Sequence, residues 1–161
     1  MTSTRATIDA FVSEPALAIV GVSRWGKGFG NAAMRELQSK GYRVYAIHPL
    51  AEDIKTGTFY RRFSDLPEHV NAALLVIPPE QVIDVAMEAA AAGVRRIWLQ
   101  QGAESPVAVA RCRELGLDVV AGECILMFAR PGGVHKAHRW VRGLFGKLPV
   151  AKPHQPASGG Y

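Results

Sequence analysis

Nothing in this sequence of 161 residues reads as a membrane span, because no apolar run approaches the ~20 residues a bilayer-crossing helix needs. The N-terminal stretch also lacks the apolar segment of a signal peptide. Cysteine is scarce: Cys112 and Cys124 alone give neither a metal-binding spacing nor enough bridges for a disulfide scaffold. A cytoplasmic setting is the resulting expectation. Acid is missing from residues 130–161, which carry Arg130, Lys136, Arg139, Arg142, Lys147 and Lys152. Residues 1–129 hold 13 lysines and arginines against 14 acids, so the net charge of +5 resides in the C-terminal segment. A basic segment can engage nucleic acid through counterion release. No nucleic-acid motif accompanies this one, and Trp140 and Phe145 alone offer stacking in its first half. Nucleic acid is disfavoured as a partner, and a solvated basic face near a phosphate ligand is preferred.

What is present is an alternation of short apolar runs and longer amphipathic ones. Leu17-Ala18-Ile19-Val20, Val44-Tyr45-Ala46-Ile47, Ala73-Leu74-Leu75-Val76-Ile77, Arg96-Ile97-Trp98-Leu99 and Leu117-Asp118-Val119-Val120 read as buried strands. Thr58-Phe59-Tyr60 adds a short edge strand, and Ser64-Asp65-Leu66-Pro67 reads as a turn. Between the strands, helices are predicted over 31–40 and through Val82, Ile83, Ala86, Ala89 and Ala90, with Gly41 and Gly93 as stops. A third begins at Ser105-Pro106, where serine can cap and proline fits the first helical position. Strands apolar on both faces and separated by helices imply a parallel sheet with right-handed crossovers. The expected architecture is a doubly wound, Rossmann-like α/β domain over residues 1–129. Its strand order is 3-2-1-4-5, with or without the short edge strand. Beyond it, a basic helix over 134–145 and a disordered tail rich in proline, glycine and serine are expected.

In such a sheet the ligand crevice lies at the carboxyl ends of the strands, where the order reverses beside the first strand. The segment there is Gly21-Val22-Ser23-Arg24-Trp25-Gly26-Lys27-Gly28-Phe29-Gly30. Its four glycines let backbone N–H groups approach a phosphate, the following helix contributes its positive end, and Arg24 and Lys27 add charge. The segment lacks the usual Gly-x-Gly-x-x-Gly placement. It starts like a P-loop from Gly21 to Lys27, but Gly28 stands where magnesium coordination needs serine or threonine. Trp25 occupies the second-glycine position of a nucleophile elbow. The second strand ends in His48-Pro49, without the carboxylate that a NAD ribose wants. Coenzyme A carries a ribose phosphate in that region, which an acid would repel.

These residues carry a resemblance. Gly21-Val22-Ser23 with 27–31, Gly41-Tyr42-Arg43-Val44-Tyr45, His48-Pro49, Pro78-Pro79-Glu80-Gln81-Val82, and Trp98-Leu99-Gln100 with Gly102-Ala103-Glu104-Ser105 occur in order. The chain closely resembles the small bacterial and archaeal CoA-binding proteins, stand-alone counterparts of the CoA-binding domain of succinyl-CoA synthetase alpha subunits. The likeness runs from about Phe11 to Met127. It implies that Gly21, Val22, Ser23, Arg24, Lys27, Gly28 and Phe29 hold the phosphates of coenzyme A, or of an acyl-CoA. Ile77, Pro78, Pro79 and Val82 would form an apolar wall, with His48, Pro49, Gln100, Gln101 and Cys124 completing the site. Three positions depart from the family: His48 replaces asparagine, Gln101 a proline and Glu123 an arginine.

Catalytic machinery is not evident. The phosphorylated histidine of the synthetase belongs to a second domain with no counterpart here. His135 and His138 share a predicted helix, but no third metal ligand accompanies them, and no metal is expected. Cys124 could cap a CoA thiol as a mixed disulfide, although a small buried residue is the simpler reading. Two other functions remain open from sequence: a NAD(P)-binding oxidoreductase or redox sensor, and a regulatory interaction protein using the basic segment. A homodimer is compatible with all three.

Overall fold

The computed structural model describes residues 3–51 and 58–129. Six parallel strands form one sheet: β1 (Ala16–Val20), β2 (Arg43–Ile47), β3 (Phe59–Tyr60), β4 (Ala72–Leu75), β5 (Arg96–Leu99) and β6 (Asp118–Ala121). Their order is β3-β2-β1-β4-β5-β6. The expected order 3-2-1-4-5 holds only if the short edge strand is counted as the third. With that strand set aside, the expectation puts the run from Ala73 beside β2, whereas it pairs with β1 and the edge strand takes the place next to β2.

Side chains alternate across this sheet, and each strand feeds two cores. Ala18, Val20, Ala73, Leu75, Ile97, Leu99 and Val119 face α3 (Pro79–Ala91) and α4 (Pro106–Glu114). Leu17, Ile19, Ala72, Leu74, Trp98 and Val120 face α1 (Arg5–Val12) and α2 (Phe29–Ser39). Register stacks Ile19 beside Leu74 and Leu74 beside Trp98, so the second core is continuous across three strands. Burial on both faces explains why the strands are apolar without alternation.

The helices start and stop where local chemistry directs them. Ser105 accepts a hydrogen bond from the Ala108 N–H at the start of α4, and Pro106 follows at its first position. Gly41, Gly93 and Gly116 all take positive φ just beyond a helix end. The expected turn at 64–67 is partly a 3-10 helix, Phe63–Asp65. Helix α1 was not anticipated. Only Ile8 and Phe11 of its eight residues are buried, and its start is fixed by a Thr4 cap. Phe11 meets Trp98 edge-on at 5.2 Å, while the Trp98 indole N–H donates to the Glu123 carbonyl at 3.0 Å. The helix expected over 134–145 and the tail beyond it lie outside the described residues. No helix among the described residues is long and apolar enough to cross a membrane.

Candidate functional site

The chain reverses its strand order beside β1, and two glycines set the geometry there. A Cβ on Gly21 would lie 2.0 Å from the Val76 carbonyl oxygen, and φ at Gly21 is +108°. A Cβ on Gly30 would lie 2.2 Å from the Gly21 carbonyl oxygen. The ends of β1 and β4 and the first turn of α2 thus approach more closely than any side chain allows.

Between these glycines the loop is held from within. The Asn31 side chain, buried at 4% exposure, accepts from the Ser23 N–H and donates to the Ser23 carbonyl, both at 2.9 Å. Ser23 in turn accepts from the Trp25 N–H through its hydroxyl (3.1 Å) and from the Gly26 N–H through its carbonyl (3.1 Å). Beyond that turn, Gly28 precedes α2 and, having no side chain, gives the positive end of the helix no capping hydrogen bond. The Arg24 guanidinium sits 4.8 Å from the centre of the Trp25 ring, which is 72% exposed.

At the end of β2, the His48 N–H donates to the Tyr60 carbonyl (2.9 Å). The Leu50 N–H donates to His48 Nδ1 (3.0 Å), which assigns the imidazole proton to Nε2 and leaves a donor on the far side of the ring. Phe59 holds the ring edge-on at 6.2 Å.

Along this carboxyl edge a cavity of about 290 Å³ between Glu104, Pro106, Ala121 and Gly122 stands apart, and two others adjoin. The first of the adjoining two, about 410 Å³, is walled by the loop from Gly21 through Trp25, by Ile47, His48 and Pro49, and by Val76, Ile77, Pro78 and Gln81. No acid lines it among the described residues. The second, about 280 Å³, shares Val76, Ile77 and Pro78 and adds Gln100, Gln101, Gly102 and Ala103. Gln100 is buried at 1% exposure: its Oε1 accepts from the Ile125 N–H (3.2 Å), and its Nε2 has no partner among the described residues.

Of the residues singled out from sequence, Gly21, Val22, Ser23, Arg24, His48, Pro49, Ile77 and Pro78 meet at the first cavity, and Gln100 and Gln101 at the second. Six others line neither. Lys27 and Gly28 are exposed farther along the loop, Phe29 opens α2 and packs toward the core, and Pro79 opens α3. Val82, with no exposed surface, is on the sheet-facing side of α3, where the periodicity of an amphipathic helix puts an apolar residue. Cys124 is 2% exposed in the core beneath the α1 and α2 face. Val20, Trp25, Ile47, Val76, Gln81, Gly102 and Ala103 also line these cavities without having been assigned to the site from sequence, although Trp25 lies inside the glycine-rich loop.

The titrating groups with displaced pKa values lie away from these cavities. Arg43, hydrogen-bonded to Glu68, holds that carboxyl down at about 2 with help from the Tyr45 hydroxyl. Burial pushes the Cys112 thiol up, which keeps it protonated and unreactive.

Residues 16–130 match the family model described as the CoA binding domain. Solved structures share the fold. A conserved hypothetical protein from Pyrococcus furiosus is 33% identical with a TM-score of 0.63, covering 70% of this chain and 97% of that one. A hypothetical protein from Pyrococcus horikoshii OT3, 24% identical, shares the fold with a TM-score of 0.68 over 79% of this chain and 95% of its own. The dinucleotide-forming acetyl-coenzyme A synthetase 1 of Ca. Korarchaeum cryptofilum is 29% identical with a TM-score of 0.56. That match covers 65% of this chain but 25% of the synthetase, so the likeness is to one portion of a much larger protein.

Proposed function

The chain belongs to the CoA binding domain family, and from that premise we propose that it holds coenzyme A or an acyl-CoA, extended along the carboxyl edge of its sheet. The observation that carries this placement is the pair of cavities meeting at Val76, Ile77 and Pro78. An elongated ligand with a nucleotide at one end and a flexible arm at the other fits two adjoining hollows better than a compact one does. In this reading the nucleotide end takes the larger hollow. Backbone N–H groups of the loop, the uncapped start of α2, Arg24 and Lys27 compensate phosphate charge. The Nε2–H of His48 faces the ribose phosphate, and the pantetheine arm runs over Ile77 and Pro78 toward Gln100. The role is binding without turnover, since the described residues offer no nucleophile with a base and an orienting partner.

Calorimetric titration tests the reading. Coenzyme A binds and, at ~100 times its dissociation constant, stabilises the fold by about 2.7 kcal/mol, whereas NAD does neither. Equal binding of NAD would overturn it. His48→Asp tests the orientation within the site. Two like charges ~4 Å apart repel by about 4 kcal/mol at an effective dielectric of 20, an upper bound that water relaxes. Coenzyme A is expected to bind His48→Asp at least tenfold more weakly, and dephospho-CoA to be nearly unaffected. Equal losses for both ligands would mean that His48 does not face the ribose phosphate.

A further inference from the structure

Trp25 has the highest fractional exposure of the exposed large hydrophobic residues described, at 72%, and it forms part of the wall of the larger cavity. A lone exposed apolar side chain is ordinary on a protein surface; what distinguishes this one is its place in a cavity wall beside a clamped loop. Here the backbone is not loose. Trp25 and Gly26 both donate to Ser23, and Asn31 clamps Ser23 from both sides. The indole therefore leaves a prearranged turn, and the Arg24 guanidinium over the ring restrains it further. A flat π face with a cation upon it recognises a flat, electron-rich ring attached to anionic phosphates. Within coenzyme A only the adenine is such a ring.

Resting on the functional reading above and extending it, we propose that Trp25 is the adenine platform of the site and determines its selectivity for the nucleotide-bearing form of the coenzyme. Stacking on an aromatic side chain tolerates any base but requires one, so the nucleotide end is recognised by its face, and Arg24 adds attraction to the nearby phosphates. A rigid aromatic of this kind loses little conformational freedom on binding, which is why it is effective as an anchor.

The test titrates coenzyme A and adenosine 3′,5′-bisphosphate into the wild-type protein, Trp25→Phe and Trp25→Ala. Trp25→Ala is expected to weaken both ligands by a similar factor of about tenfold. Trp25→Phe, which keeps a smaller ring, gives an intermediate loss. The melting temperature of either variant without ligand stays at the wild-type value, because the ring is exposed. Unchanged affinity in Trp25→Ala, or equal losses in the two variants, overturns the platform. Weaker binding of coenzyme A alone, with the bisphosphate untouched, overturns the adenine assignment. Failure of the wild-type protein to bind coenzyme A is a different result: it overturns the functional reading itself, and the role of Trp25 with it.

Discussion

The two ends of the same parallel sheet are built on opposite plans. At the amino ends of the strands, charges are paired across long stretches of sequence. Arg96 on β5 meets Glu14 ahead of β1 at 2.8 Å, Asn71 ahead of β4 reaches the same carboxylate at 3.4 Å, and Arg43 on β2 pairs with Glu68. At the carboxyl ends, Arg24 and Lys27 form no ion pair among the described residues, and close backbone packing takes the place of side chains. One end ties the strands together; at the other, two cations stand without an acidic partner among the described residues. In the proposed reading, stability and recognition are thereby separated along a single axis, and substitutions at the two ends are expected to have different consequences.

The largest effect belongs to Gly21→Ala. The added methyl meets the Val76 carbonyl oxygen at 2.0 Å, and the backbone conformation is itself strained for an L-residue. Strain and overpacking together cost about 4 kcal/mol, read as a lower urea midpoint. A loss below about 1 kcal/mol would show that β1 and β4 can separate at this end, and the contrast between a closely packed and a paired end would collapse.

A matched pair of substitutions sharpens the comparison. Asn31→Ala removes both hydrogen bonds to Ser23 and costs about 2 kcal/mol. Glu14→Gln removes the charge facing Arg96, whose side chain is 27% exposed against 16% for Glu14, and also costs about 2 kcal/mol. Denaturation should hardly distinguish the two. Titration with coenzyme A should, because only Asn31→Ala loosens the loop; equal affinities would deny that the carboxyl end is specialised for ligand.

The smallest effect concerns Glu68. Its folded pKa, about 2, lies below the ordinary carboxylate value of 4.5, so its pairing stabilises the fold above that ordinary value. The contribution is lost as pH falls from 4.5 toward 2, when the unfolded chain takes up the proton first. Solvent reaches this pair, and the effect is small. Urea midpoints between pH 5 and 2 should fall less steeply in Glu68→Gln than in the wild type. Parallel slopes would remove Glu68 from the acid response.

Most of the sheet was legible because burial on both faces writes an uninterrupted apolar run into each strand, as in Leu17 to Val20. Glycine stops and the Ser105-Pro106 start made three of the four helices legible for similarly local reasons. Helix α1 was not, because Arg5 and Asp9 pair with each other in solvent, only Ile8 and Phe11 turn inward, and Phe11 is fixed by Trp98, 87 positions away. The same limit governs the site. Gly21, Ser23 and His48 follow from topology, which places every strand end at one edge. Asn31 does not, since its bonds to Ser23 depend on the angle at which α2 leaves the loop. Val82 and Cys124 were assigned to the ligand by resemblance, whereas helical periodicity and tertiary packing turn both inward.

The wall common to the two cavities has a consequence for how tightly parts of a ligand bind. A molecule that fills the larger hollow holds its own remaining arm beside Ile77 and Pro78, at the mouth of the smaller one. The second engagement is then intramolecular, governed by an effective concentration set by the short span rather than by the amount of ligand in solution. Two fragments supplied separately make the same contacts without that advantage. In the proposed pose the intact coenzyme binds as a bivalent ligand, and affinity depends on the bond joining its halves as well as on the surfaces that receive them.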